Sequence, residues 1–148
     1  MNLDWSLHWM KHCLLLSSMS TCPRGKVGAF IIDASNNPIS AGFNGPPRKA
    51  PGELCGIDSC NRETLKIKSG ASIEIGCHHA EQNAICNAAK KGISLENCTI
   101  IVSTFPCLSC ARIIHHSGLS SVVVPLDSQY DQAGIYYLID NKIEVIFV

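Results

Sequence analysis

His79-Ala80-Glu81 and the later stretch Pro106-Cys107-Leu108-Ser109-Cys110 supply one imidazole, one carboxylate and two thiols in two short segments. Cys107 and Cys110 have the Cys-x-x-Cys spacing that brings two sulfurs onto one ion, and an imidazole makes a third ligand. Three protein ligands leave a fourth tetrahedral position for water, which separates a catalytic zinc from a closed structural one. Pro106 favours a helix start at the thiols, where the positive end of the helix dipole promotes the thiolate that zinc requires. Glu81 need not ligate; it can face the bound water and move protons. Only His79 stands two positions before a glutamate, so it, and not His78, is the expected ligand. A disulfide-exchange reading of the Cys-x-x-Cys pair needs no upstream His-x-Glu and leaves Glu81 unexplained.

Both segments must be carried by helix starts. Residues 80–91 have a small apolar face (Ala84, Ile85, Ala88, Ala89) and Gly92 as a stop. A second helix is expected over 107–116, ended by Gly118. Continuous or alternating apolar runs predict strands at 27–33, 39–43, 99–103, 121–125 and 143–148, the first two joined as an antiparallel hairpin through the Ser35–Pro38 turn. Residues 3–19 read as a helix with Leu3, Leu7, Met10, Leu14 and Leu15 at helical spacing, and with Trp5 and Trp9 as core aromatics or part of a subunit interface. A last helix is expected over 132–141. The connection from 126 to 142 is long enough for a crossover, so the last two of the five strands should run parallel in an α/β sheet with helices on both faces. Residues 44–77 have little periodicity, and a connection that long is expected to be functional or stapled.

With 148 residues, 46% hydrophobic and 16% charged, the chain is read as one globular domain over 1–148. Zero formal net charge and no Lys/Arg run exclude a nucleic-acid or anionic-membrane footprint. Nine cysteines without a basic, apolar leader at Met1-Asn2-Leu3-Asp4 point to a reducing cytoplasm, with thiols used for metal and packing. Cys13, Cys86 and Cys98 fall in regular elements and are read as small core residues.

The His-x-Glu and Pro-Cys-x-x-Cys pair is the pattern of zinc-dependent nucleobase deaminases. Together with Thr21-Cys22-Pro23-Arg24, Val27-Gly28-Ala29 and Gly42-Phe43-Asn44-Gly45-Pro46, it resembles the deoxycytidylate (dCMP) deaminases from about residue 5 to the end. That resemblance implies a three-layer α/β/α cytidine-deaminase-like fold with a five-stranded mixed sheet. It also implies hydrolysis of dCMP to dUMP and ammonia, supplying dUMP for dTMP synthesis. His79, Cys107 and Cys110 would hold Zn²⁺, and Glu81 would take the water proton and deliver it to N3. A tRNA-editing member of the superfamily would need basic surface that this chain lacks, and a zinc-stabilised nucleotide-sensing module would have no use for Glu81.

The same resemblance assigns the collar of the site. Asn44 is expected at the deoxyribose, Arg24, Lys26 and Arg48 are candidates for the 5′-phosphate, and the backbone at Ala80 is expected on the pyrimidine edge. Tyr130 is expected against the nucleotide, although Tyr130-Asp131 lacks the histidine that some members carry there. Phe43 replaces a tyrosine common in the family. Members of the family are commonly hexamers activated by dCTP with Mg²⁺ and inhibited by dTTP, which would place an effector site around Gly42, Asn44 and Gly45. Some also carry a structural zinc between the Cys-Pro-Arg segment and the long loop; here Cys22, Cys55, Cys60 and Cys77 would be its ligands.

Overall fold

Five short strands line up in one sheet. In the computed structural model, which describes residues 2–46, 55–56, 59–68 and 76–148, they are β1 (Gly28–Ile32), β2 (Pro38–Phe43), β5 (Thr99–Val102), β6 (Ser121–Val124) and β7 (Glu144–Phe147). β1 pairs antiparallel with both β2 and β5, whereas β5-β6 and β6-β7 are parallel. The expected hairpin and the expected parallel final pair are both present. At the hairpin turn Asp33 Oδ1 accepts the backbone N–H of Ser35 and of Asn37, both at 2.8 Å, and Asn36 takes a left-handed φ of 64°. Asparagine tolerates that conformation better than most residues.

Alternate residues of the central strands bury on opposite faces, as a strand period of two requires. Ala29, Ile31, Ile100, Val102, Val122 and Val124 enter one core with helices α3 (Ala80–Ala89), α4 (Leu108–His116) and α5 (Ala133–Asp140). Ile32, Ile101 and Val123 enter the other, beneath α1 (Leu3–Ser17). The result is the expected three-layer α/β/α arrangement. Within 44–77 the described residues add a two-stranded ladder, β3 (Cys55–Gly56) with β4 (Ser59–Cys60), and a short helix α2 (Asn61–Thr64).

α1 corrects the sequence expectation. Asn2 Oδ1 caps it by accepting the Trp5 N–H at 3.0 Å. Its buried side is Ser6, Trp9, Met10, Cys13 and Ser17, while Leu3, Leu7, Leu14 and Leu15 are exposed, as is Trp5. The reason lies in β1. A Cβ at Gly28 would overlap the Cys13 carbonyl oxygen and stand 3.0 Å from the Ser17 nitrogen, so the helix rests on bare backbone. Small side chains permit that approach and leucines would hold the helix away. Cys13 also donates its thiol to the Ile101 carbonyl at 3.1 Å, and burial pushes its pKa up to about 12. Cys98 is buried as expected, but Cys86 is exposed on α3 and is not a core residue.

Candidate metal centre

α3 and α4 start side by side at one end of the sheet, and each brings part of the site. His79 is the N-cap of α3 and Cys107 the N-cap of α4. Gln82 Oε1 accepts the His79 backbone N–H at 2.9 Å, fixing where the ligand residue enters its helix. His79 Nδ1 lies 3.5 Å from Cys107 Sγ and 3.3 Å from Cys110 Sγ. All three donor atoms fall within 4.8 Å of one another, and they are the one such group of three or more among the described residues.

One imidazole and two thiolates make a borderline-soft set suited to zinc and not to magnesium or calcium. Zn–N and Zn–S bonds of about 2.0 and 2.3 Å in a tetrahedron separate N and S by roughly 3.6 Å, close to the distances here. The residues present therefore fit the ion.

The electrostatics agree with a site built to lose protons to a metal. Cys107 is drawn down to about 4, first by the hydrogen bond it receives from Cys110. Cys110 is pushed up by that same bond and then by burial. Glu81 is 3% exposed, and desolvation raises its carboxyl pKa, opposed chiefly by the nearby His79. Cys110 and Cys107 also act on the Glu81 carboxyl, the first lowering and the second raising its pKa, which puts it beside the ligands.

α3 is zipped to edge strand β2 by polar side chains. Ser40 donates to the Ala84 carbonyl at 2.7 Å, Asn83 to Phe43 at 2.8 Å and Asn87 to Ala41 at 2.9 Å. A Cβ at Gly42 would stand 2.5 Å from the Ala80 carbonyl oxygen and the Ala84 nitrogen, so the glycine lets the helix bearing Glu81 seat fully. Gly134 does the same for α4: a Cβ there would overlap the Pro106 carbonyl oxygen. Gly134→Ala is expected to destabilise the chain by roughly 2–3 kcal/mol and to lower its zinc content, because the displaced peptide carries Cys107. A thermal melt and metal analysis check this; unchanged values would mean that the contact yields freely. Gly134 went unnoticed in the sequence because a glycine beginning a helix gives no sign of what it packs against.

The collar residues gather unevenly. Gly45 and His78 exchange backbone hydrogen bonds at 3.2 and 2.9 Å, which joins the Asn44–Gly45 segment to His79. Asn44 is buried and holds the 20–27 segment: Oδ1 accepts from Val27 N–H and Nδ2 donates to the Gly25 carbonyl, both at 2.8 Å. Ser20 donates to the Asn44 carbonyl at 2.7 Å. Tyr130 reaches the same segment, its hydroxyl lying 2.8 Å from where a Gly25 Cβ would be. Arg24 lies 3.8 Å from Glu63, and Lys26 is exposed with its Nζ 3.5 Å from the Ser18 carbonyl oxygen. Arg48 lies outside the described residues.

Among the four cysteines of the second expected site, Cys22 and Cys77 meet, and the hydrogen bond from Cys77 is the first cause that draws Cys22 down to about 5. Cys55 opposes Cys60 in the β3-β4 ladder. Cys22, Cys60 and Cys77 do not converge on one point as His79, Cys107 and Cys110 do, and the Cys55 side chain lies outside the described residues.

The comparisons with known proteins bear on this geometry. Residues 3–126 match the model of the cytidine and deoxycytidylate deaminase zinc-binding region. The human deoxycytidylate deaminase is 30% identical over 147 residues, covering 98% of this chain and 79% of its own. ComE operon protein 2 of Bacillus subtilis (strain 168) is 31% identical, covering 90% and 69%. Among solved structures, the dCMP deaminase of cyanophage S-TIM5 in complex with dCMP and dUMP superposes with a TM-score of 0.78 at 26% identity, covering 100% of this chain and 99% of that one. With the fold, the His-Cys-Cys cluster and the sequence match in agreement, this chain belongs to the cytidine and deoxycytidylate deaminase family.

Proposed function

We propose that the chain hydrolyses dCMP to dUMP and ammonia and so feeds dTMP synthesis. The observation that carries this reading is the buried Glu81 carboxylate beside a His79-Cys107-Cys110 cluster, in a chain whose relatives include named deoxycytidylate deaminases. Zinc held by those three residues would supply a water activated for attack at neutral pH. Glu81 then has two tasks. As water adds to C4 of the cytosine ring, the Glu81 carboxylate would take its proton and pass it to N3. It next moves a proton from the added hydroxyl to the exocyclic amine, which leaves as ammonia. Water and dCMP are consumed, dUMP and ammonia appear, and the carboxylate is regenerated. Low exposure keeps the carboxylate from being levelled by bulk water.

For the rest of the nucleotide we assign the Ala80 backbone to the pyrimidine edge, Asn44 to the deoxyribose, and Arg24, Lys26 and Arg48 to the 5′-phosphate. Asn44 has a second Nδ2 hydrogen with no partner among the described residues, and Lys26 is exposed. Tyr130 would close over the base from the loop before α5. Regulation by dCTP with Mg²⁺ and by dTTP, and a homo-hexamer, are assigned by family resemblance. An effector near Gly42–Gly45 would have to use the Asn44–Gly45 end, since α3 closes over Gly42. Among the described residues no helix is long and apolar enough to cross a membrane. The working thiolates favour a reducing, cytoplasmic setting.

Ammonia release should be fast with dCMP and at least a hundredfold slower with cytidine, cytosine or RNA. Comparable rates on RNA would remove the nucleotide assignment. In the same assay dTTP should inhibit and dCTP with Mg²⁺ relieve that inhibition; indifference to both would remove the effector reading.

We also propose that Cys22, Cys55, Cys60 and Cys77 hold a second, structural zinc. The Cys22–Cys77 contact and the Cys55–Cys60 pairing support it. Metal analysis should give two zinc ions per chain, falling to one in Cys22→Ser with the deaminase centre still loaded. One ion in the unaltered protein would sink the idea.

A further inference from the structure

The fold leaves one regular sequence feature unused: the leucine stripe of α1. Leu3, Leu7, Met10 and Leu14 follow 4-3-4 spacing, the a/d seam of a coiled coil. Yet α1 meets the sheet through Ser6, Trp9, Cys13 and Ser17. Of the seam only Met10 is buried; Leu3 is 60% exposed, Leu7 41% and Leu14 55%. Single exposed leucines need no explanation, but a periodic row of them marks a contact surface.

The charges beside the seam say what covers it. With Leu3 and Met10 at d and Leu7 and Leu14 at a, Asp4 and Lys11 both occupy e, and both are exposed. If two identical helices lie antiparallel about a twofold axis, Leu3 faces Leu14 of the second copy and Leu7 faces its Met10. The two e rows then run side by side, setting Asp4 of each copy against Lys11 of the other. The g positions, Ser6 and Cys13, are uncharged and buried in their own core, so they set no charge against the approach. In a parallel pair e faces g, and neither charge would find a partner.

We propose that α1 is an isologous interface between two copies of this chain, antiparallel about a twofold axis. Leu3, Leu7 and Leu14 form its apolar centre, and reciprocal Asp4–Lys11 pairs form its rim. The inference is independent of the deaminase assignment, since it uses neither the metal cluster nor the collar.

Sedimentation velocity on the zinc-loaded chain tests it. The unaltered protein should sediment with an even number of copies. Leu7→Glu with Leu14→Glu should halve that mass while circular dichroism and zinc content stay unchanged, both side chains being at the surface. Lys11→Glu sets like charges together at two symmetric places and should raise the dissociation constant about tenfold. Adding Asp4→Lys to Lys11→Glu should bring it back to within about twofold of the original. A monomeric unaltered protein, an unchanged mass in the leucine variant, or a charge exchange that fails to restore affinity would each overturn the proposal.

Discussion

Glu81→Gln is expected to lower kcat for dCMP by roughly a thousandfold or more, with bound zinc and KM close to those of the unaltered chain. Glutamine keeps the shape of the side chain and can still accept a hydrogen bond, but it cannot carry the proton between water, N3 and the leaving amine. Full activity in this variant would remove the mechanism. The same substitution has an opposite effect on stability when the metal is stripped. Burial raises the Glu81 carboxyl pKa in the folded, metal-free chain. Its favourable contribution is therefore complete only below the ordinary carboxylate range, and it is lost as pH rises through the folded value. Above the ordinary carboxylate range the unfolded chain releases a proton that burial of Glu81 in the folded chain disfavours losing, so the group costs stability at neutral pH, and glutamine removes that cost. Metal-free Glu81→Gln should melt above metal-free wild type at pH 7, and the two should converge near pH 4. A variant that melts no higher at pH 7 would show that the carboxylate is better solvated than its 3% exposure implies.

Removing a ligand is expected to abolish turnover altogether. Cys110→Ala and His79→Ala should each leave no measurable deamination and no zinc at the catalytic centre. Loss of the ion also costs stability: zinc at a thousandfold excess over its Kd contributes about 4 kcal/mol, on the order of 10 °C in Tm for a chain of this length. Chelator treatment of the unaltered protein should give a comparable downward shift, reversed by added zinc. The result that would refute the ligand set is a Cys110→Ala protein that keeps a full complement of zinc at this centre. Cys110 is the sharper probe of the pair, because it is buried and its thiol interacts with both Cys107 and Glu81.

How much of this was legible in the residues differs from place to place. The five strands were readable because a buried strand writes itself as a short apolar run, as Val122-Val123-Val124 does. Helix starts at Ala80 and Leu108 are readable because ligand spacing and Pro106 mark them, and Gly92 and Gly118 mark where those helices end. α1 was misread because it carries two strips that could each have faced the core, and the more hydrophobic one lost. Cys86 was misread for a related reason: α3 buries its alanine face, and position 86 points away from it.

Residue types and spacing alone determined the chemistry of this protein. A histidine, a glutamate two positions on and a later Cys-x-x-Cys are set by local chain geometry, so their joint purpose survives without coordinates. Only the tertiary structure decided that these groups meet, with His79 Nδ1 between 3.3 and 3.5 Å from both sulfurs. It alone showed that Gly28, Gly42 and Gly134 let helices rest on backbone, that Tyr130 reaches Gly25, and that the leucines of α1 face outward. These are matters of close approach between segments distant in the chain, and a side chain's suitability for them depends on what stands opposite. Periodicity records that a face is apolar; the neighbour decides whether it is buried.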